Sequence, residues 1–446
     1  MTKEELITKK VSAISLGCDK NRVDLEKMLF CLKSYGFNIV AEPTEAEIVI
    51  VNTCAFIEPA RQEAVANIFE SLRLKQISNV EKVIVTGCLP ERYSADLMKE
   101  IPEVDAYLRL KDNDLICNII EKLYDVKETK QKKKLGRVFT SSSTFAYLKI
   151  ADGCNNVCSY CTIPRIRGRY KSEKMEDLVD EAKLLVQMGA KEIVLVAQDS
   201  TSYGKDIYGK PCLVELCKKL CKIKDLKWLR IHYAYPELID DELLSFIQSE
   251  EKMCKYLDVP LQHIDNEILT SMRRRLNEED TRKLITKIRT VYPEIKLRTT
   301  FIVGYPGETK AQFSKLCDFI KEAKFEFAGF FSYCREEGTV SYYLKKQVPS
   351  FIKKKRLKQI QVLQESIAYE VMNAYIGKDV EVLVDEFDVE TGFYIGHANF
   401  MSKAVDFNVK IEDNNSVKIG DFVNVKITDF DGENLKGEII WIYQIK

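Results

Sequence analysis

No apolar run in this chain reaches the roughly 18–20 residues needed to cross a bilayer, and the opening MTKEELITKK lacks the apolar centre of a secretion signal. A cytoplasmic protein with no membrane partner is therefore expected. Charge of one sign is also missing: Lys+Arg and Asp+Glu are both 68, so any contact with nucleic acid has to come from a local patch. Histidine is scarce, with only His232, His263 and His397, which disfavours imidazole-rich metal sites. There is no internal repeat, and no low-complexity segment beyond one basic stretch, KETKQKKKLGR (127–137). What the chain does have is cysteine. Fourteen thiols in a reducing compartment point away from disulfides and towards metal ligation or redox work wherever their spacing is ordered.

The 446 residues are enough for two or three domains. From 8 to 125, KVSAISLGC (10–18), EIVIVNTC (47–54), KVIVTGC (82–88) and VDAYLRL (104–110) read as buried parallel strands alternating with helical patterns. That predicts an α/β domain with a doubly wound parallel sheet. The basic stretch marks a linker over 126–143. Between 144 and 376 the predicted strands are FAYLKIA (145–151), EIVLVAQ (192–198), WLRIHYA (228–234), YLDVPLQ (256–262), LRTTFIVG (297–304) and FAGFFSY (327–333). Six such units suit a partial (β/α) barrel with its reactive groups at the carboxyl ends of the strands. A long helix is predicted over 353–377, ended by Gly377. The period-two pattern of 377–446 predicts a small five-stranded β-barrel.

Two groups of cysteines are ordered. In ADGCNNVCSYC, Cys154, Cys158 and Cys161 follow a strand in a C-x-x-x-C-x-x-C arrangement. Three thiolates on one loop can hold a 4Fe-4S cube and leave the fourth iron open for chemistry. The alternative is a zinc knuckle or three buried thiols. A structural zinc wants a fourth ligand, and no His or Cys occurs between 162 and 211. The second group is dispersed: Cys18, Cys54 and Cys88 each end one of the first three predicted long strands, 36 and 34 residues apart. Carboxyl ends of parallel strands meet at one edge of a sheet, so these thiols are expected to converge, with Gly17 and Gly87 relieving crowding. Three small core residues at strand ends are the plainer reading. The remaining eight cysteines show no ligating pattern.

The residues SLGCDKNRVDLE (15–26), VNTCAFIEPA (51–60), GCLPERY (87–93), CNNVCSYCTIPRIRG (154–168), AQDSTSYG (197–204), VPLQHIDNEILTSMRRR (259–275), TTFIVGYPGET (299–309) and EEGT (336–339), ahead of a β-barrel, resemble the radical S-adenosylmethionine methylthiotransferases over essentially the whole chain. They are most similar to the branch that modifies the β-carbon of an aspartate in small-subunit ribosomal protein twelve. The tRNA-adenosine branch has Gln where Asp19 stands, Ser-Val where Ala55-Phe56 stand, and Gln-Asn-Val in place of Gln198-Asp199-Ser200. The ribosomal branch itself usually carries a D-A-P-E-x-D run where this chain reads MSKAVDF (401–407).

The resemblance implies two 4Fe-4S clusters and S-adenosyl-L-methionine as cofactors. Cys154, Cys158 and Cys161 would hold the radical-generating cluster. Cys18, Cys54 and Cys88 would hold an auxiliary cluster whose open iron carries the sulfur to be transferred, and the final barrel would be a TRAM-like substrate-recognition domain. No catalytic side chain is required beyond the clusters, because an unactivated C–H bond offers no acidic proton to a base. Tyr160 would pack on the adenine or serve as a turn residue. Gln198, Gln262 and Arg298, at strand ends, would contact the cofactor or be satisfied polar groups of a barrel mouth; His232 and His263 are placed similarly. Arg273, Arg274 and Arg275 read as a solvated helix end.

Residues 378–446 carry a formal charge of −7, which attracts a basic ribosomal protein and repels an RNA backbone. The expected partners are therefore a basic small-subunit ribosomal protein, an electron donor and a sulfur donor, rather than tRNA. The alternatives are a tRNA-adenosine methylthiotransferase and a non-catalytic iron–sulfur ribosome-associated factor.

Overall fold

The computed structural model describes residues 1–127, 135–140, 144–403, 405–412 and 417–443. Residues 128–134 and 141–143 of the expected linker lie outside them, as do Asp413 and Lys446 of the barrel charge. The chain forms two compact units: Met1–Ser141 with Asp152–Asn156 and Cys161–Lys171, and Ser142–Ala151 with Val157–Tyr160 and Ser172–Lys446.

The first unit is built on a parallel sheet of order β2-β1-β3-β4-β5, comprising β1 (Lys10–Ser15), β2 (Asn38–Ile39), β3 (Ile48–Thr53), β4 (Lys82–Gly87) and β5 (Ala106–Tyr107). Alternation along β3 explains the layers. Ile48 and Ile50 join Leu25, Leu29 and Leu32 of the helix Asp19–Tyr35 on one face, with Ile116 and Ile120. Val49 and Val51 face Ala64, Ile68 and Leu74 of the helix Glu58–Ile77 on the other. Each such aliphatic side chain removed from water contributes about 1.5–3 kcal/mol, and both faces of the sheet are covered. The run 104–110 forms only a two-residue strand, because past Leu108, whose N–H still reaches the Val85 carbonyl, the chain turns into a 3-10 helix at Leu110–Leu115. Arg137, from the basic stretch, is 3% exposed and pairs with Glu26.

The second unit contains six parallel strands: β6 (Phe145–Lys149), β7 (Glu192–Val196), β8 (Trp228–Ile231), β9 (Tyr256–Gln262), β10 (Lys296–Val303) and β11 (Phe327–Ser332). They form two three-stranded sheets, β8-β7-β6 and β9-β10-β11. Ala234 N–H donates to the Asp258 carbonyl across the junction of β8 and β9, giving the partial barrel. Several of the helices between strands start at side-chain caps the sequence supplies, with Asp240 on the Leu243 N–H, Asn277 on the Asp280 N–H and a Thr309/Gln312 capping box. The long helix runs Ser350–Asn373, shorter at its end than expected: turns occupy 374–377, and Gly377, at φ 82°, leads into the barrel and donates to the Ile427 carbonyl.

The C-terminal barrel closes as β12-β13-β14-β16-β15, from β12 (Asp379–Asp388), β13 (Phe393–Ala398), β14 (Asn408–Glu412), β15 (Phe422–Phe430) and β16 (Asn434–Tyr443). Its core is continuous with Trp228, Tyr256 and Phe327, the first residues of three strands of the partial barrel. An ionic cluster lies in the same place. His397 faces Asp385 through Nδ1 (2.6 Å) and Glu192 through Nε2 (2.5 Å), while Arg230 Nε donates to Glu192 (2.5 Å) and Thr144 to Asp385 (2.6 Å). Among the described residues no helix is long and apolar enough to cross a membrane.

Candidate metal centres

Register assembles the dispersed cysteines. Thr53 pairs with Gly87 and Ser15 with Asn52, which places Cys54 beside Cys88 and brings the β1 end, with Cys18, alongside. Side-chain bonds clamp these ends: Asn21 Nδ2 donates to the Leu16 and Thr53 carbonyls (2.8 and 3.2 Å), Asn52 Nδ2 to the Asn21 carbonyl (2.8 Å), and Thr53 Oγ1 to the Thr86 carbonyl (2.6 Å). Gly17, at φ 88°, lies so close that a Cβ there would meet Cys54 Sγ at 3.1 Å, and a Cβ on Gly87, at φ 94°, would strike the Thr53 carbonyl at 2.4 Å. Only glycine fits these two positions.

Cys18 is the N-cap residue of the helix Asp19–Tyr35, and Cys88 is the first residue of the helix Cys88–Glu100, so the partial positive charge of two helix N-termini lies beside these sulfurs. Arg167 adds a full charge. Its side chain is 1% exposed, with Nη1 2.9 Å from both Asp24 and Asp152, and Nη2 3.2 Å from Asn21 Oδ1 and 3.7 Å from Cys88 Sγ. Burial works against the charged guanidinium, but Asp24 and Asp152 outweigh it and hold Arg167 firmly protonated. Burial likewise lifts the Cys54 thiol, and pushes Cys88 up to about 12 against the pull of Arg167. A bound cation is what turns such thiols into thiolates.

The other triad is built locally. Gly153, at φ 74°, turns the chain where a Cβ would collide with the Arg169 carbonyl at 2.3 Å, and Cys154 N–H donates to the Gly168 carbonyl at 3.1 Å. All three sulfurs receive donors: Cys154 from the Asn156 N–H (3.4 Å), Cys161 from the Ile163 N–H (3.4 Å), and Cys158 from Arg274 Nη1 (3.8 Å), with the Tyr235 hydroxyl 3.0 Å away. That environment suits thiolate ligands. Among the described residues no three His, Cys, Asp or Glu side chains are grouped tightly enough for a single metal ion. A cluster sets a looser demand, because each thiolate takes its own iron.

Tyr160 packs partly buried against Met272, Tyr305 and Tyr333. Gln262 ends β9 at φ 73°, after a shift in register that begins at Val259, and Gln198 is half-buried two residues past β7. Arg298 directs Nη1 to Asp406 (2.6 Å) and the Val405 carbonyl (3.0 Å), and His232 Nε2 meets Ser402 Oγ at 2.9 Å. Both partners belong to the C-terminal barrel. His263 is buried and uses Nδ1 to accept the Asp265 N–H (3.0 Å); burial lowers it to about 4, so it is neutral at physiological pH. Arg167, Arg274, Tyr235 and Glu237 were missed from sequence. Glu237, just after Tyr235, has both carboxylate oxygens buried without a hydrogen-bond partner, 3.7 Å from Arg275 Nε at the nearest. No local pattern separates Arg274 from its two arginine neighbours.

Family models match this chain in three places: an uncharacterized protein family, UPF0004, over residues 10–109, the radical SAM superfamily over 148–320, and the TRAM domain over 376–440. The ribosomal protein uS12 methylthiotransferase RimO of Thermoanaerobacter sp. (strain X514) is 44% identical over 438 residues, covering 96% of this chain and 100% of the relative. The chain belongs to the RimO methylthiotransferase family. The RimO of Elusimicrobium minutum (strain Pei191) is also 44% identical, over 97% of this chain and 100% of its own length. Among solved structures, the radical S-adenosylmethionine methyltransferase TsrM of Kitasatospora setae superposes with a TM-score of 0.57 at 12% identity, over 81% of this chain and 89% of that one, a likeness of fold alone. As a RimO-family member the chain is a radical S-adenosylmethionine transferase that uses iron–sulfur chemistry.

Proposed function

We propose that this chain places a methylthio group on the β-carbon of an aspartate in ribosomal protein uS12, in the cytosol, using two 4Fe-4S clusters. In this reading Cys154, Cys158 and Cys161 hold the radical-generating cluster in a core spanning 144–376. Cys18, Cys54 and Cys88 hold the auxiliary cluster in a domain spanning 8–125. The barrel from 377 receives the substrate, and an electron donor and a sulfur donor serve the two clusters. The observation that carries the reading is the second triad: three thiols at three strand ends, clamped by Asn21, Asn52 and Thr53, are more than radical generation needs.

Bound at these sites, the clusters and S-adenosylmethionine supply the carbon radical and the sulfur. The chain's own work is positional. Tyr160, in its aromatic cluster, would offer a face to the adenine, and Gln198, Gln262 and Arg298, at or near strand ends, would contact S-adenosylmethionine. The acidic barrel, at −7, draws a basic protein towards the site and disfavours RNA.

The test is iron and sulfide content with EPR on anaerobically reconstituted protein, with mass spectrometry of uS12. About eight irons per chain should fall to about four in a Cys154/Cys158/Cys161→Ala variant, with loss of 5′-deoxyadenosine formation. A Cys18/Cys54/Cys88→Ala variant should keep that formation and lose only the methylthio product. About four irons in the parent and none in the first variant would sink the auxiliary site, and modification of a tRNA in place of uS12 would sink the substrate.

A further inference from the structure

We propose that Arg274 and Tyr235 act as positioning residues on Cys158, forming a fixed donor shell that raises the reduction potential of the cluster held by the loop triad. The inference rests on the reading that Cys154, Cys158 and Cys161 hold such a cluster. Cys154 and Cys161 each accept an N–H group from the residue two positions on. Cys158 is met by side chains, Arg274 Nη1 at 3.8 Å and Tyr235 Oη at 3.0 Å.

That shell is fixed on several sides. Arg274 Nη2 donates to the Pro260 carbonyl at 2.8 Å, and the guanidinium lies 4.1 Å from the centre of the Tyr235 ring. The backbone is shaped to deliver it. The short helix Asn266–Ser271 ends with Arg273 in the left-handed region at φ 59°; Arg273 N–H bonds the Thr270 carbonyl and Arg274 N–H the Leu269 carbonyl, both at 2.9 Å. This is a Schellman turn with arginine where glycine is preferred, a strained position for a residue with a Cβ. The reversal turns Arg274 inward while Arg273 and Arg275 stay exposed. Arg274 makes no ion pair with a carboxylate among the described residues; its contacts are a sulfur, a carbonyl and a ring.

A cation and a hydroxyl aimed at one ligand sulfur favour whichever state carries more negative charge there. On reduction one electron passes from a low-potential one-electron donor to the oxidised cluster, no bond breaks and no proton moves. The added charge lies next to Arg274, so the reduced form gains more than the oxidised one, and the electron is easier to accept.

The experiment uses the full-length chain carrying Cys18/Cys54/Cys88→Ala, so that one cluster is observed, with iron analysis followed by an EPR-monitored titration with dithionite and mediator dyes. About four irons per chain must be present first; their absence would overturn the reading of the loop triad and not the role of Arg274 specifically. Given the cluster, Arg274→Gln should lower the midpoint so that, at the parent's midpoint, the ratio of reduced to oxidised cluster falls by about tenfold. Tyr235→Phe should lower it less, and Arg274→Lys should fall between the parent and Arg274→Gln. An unchanged or more positive midpoint in Tyr235→Phe and Arg274→Lys overturns the proposal. Should Arg274→Gln fail to fold, Tyr235→Phe, which removes one oxygen, decides alone.

Discussion

The two cysteine triads reach similar surroundings by opposite routes. Cys154, Cys158 and Cys161 are neighbours in sequence, and a glycine turn with local N–H donors organises their loop. Cys18, Cys54 and Cys88 are brought together by strand register and by side-chain clamps between strand ends. An arginine meets a sulfur in each triad, Arg167 at Cys88 and Arg274 at Cys158. The difference lies in charge balance. Arg167 is held between Asp24 and Asp152, so two carboxylates share the charge it presents to Cys88 and also fix its geometry. Among the described residues Arg274 makes no ion pair with a carboxylate, and its nearest polar contacts are the Cys158 sulfur and the Pro260 carbonyl.

The heaviest test of the comparison strikes the framework of the second unit. His397 is buried, and burial by itself draws its pKa down, yet Asp385 and Glu192 outweigh that and lift it to about 9 from 6.5. His397→Gln should therefore destabilise the fold by about 3–5 kcal/mol, seen in thermal unfolding. Because the folded pKa is the higher one, this stabilisation is whole below about 6.5 and is lost as pH rises through about 9. The parent's melting temperature should fall across that window and the variant's should not.

Next, Gly87→Ala should cost about 1–3 kcal/mol and deplete the auxiliary iron while leaving the loop triad loaded, since the new Cβ meets the Thr53 carbonyl in the first unit. Equal loss from both triads would erase the distinction between them. Arg167→Lys keeps a charge but loses the fork that spans Asp24, Asp152 and Asn21, and should weaken auxiliary iron retention by about tenfold in a chelator challenge. The smallest effect is expected at Arg273→Gly. Glycine suits the left-handed position, so stability should rise by about 0.5–1 kcal/mol, with no change in the EPR of the loop cluster.

Much of this was open to reading in one dimension. Period-two and apolar runs marked nearly every strand, because a parallel strand covered on both faces has few polar options, as the fully buried β3 shows. The spacing of the loop cysteines named a chemistry, because ligands on one loop are placed by local geometry. The strand-end cysteines were also foreseeable, once parallel strands were granted a common carboxyl edge.

Other features were set by long-range packing. Arg298 and His232, read from their place at strand ends as cofactor contacts or satisfied polar groups, bond Asp406 and Ser402, partners more than a hundred residues away that no local pattern names, because the C-terminal barrel packs on the partial barrel. Arg137, in a stretch that reads as a solvated linker, is buried against Glu26. Arg274 differs from its neighbours only because one left-handed residue reverses the chain. Sequence by itself determined which elements form and which residue types can ligate, since both depend on short-range pattern and on chemistry. Tertiary structure alone decided which charged side chains meet a sulfur, a carboxylate or water, because a buried charge takes its partner from whatever the packed fold brings within about 3–4 Å.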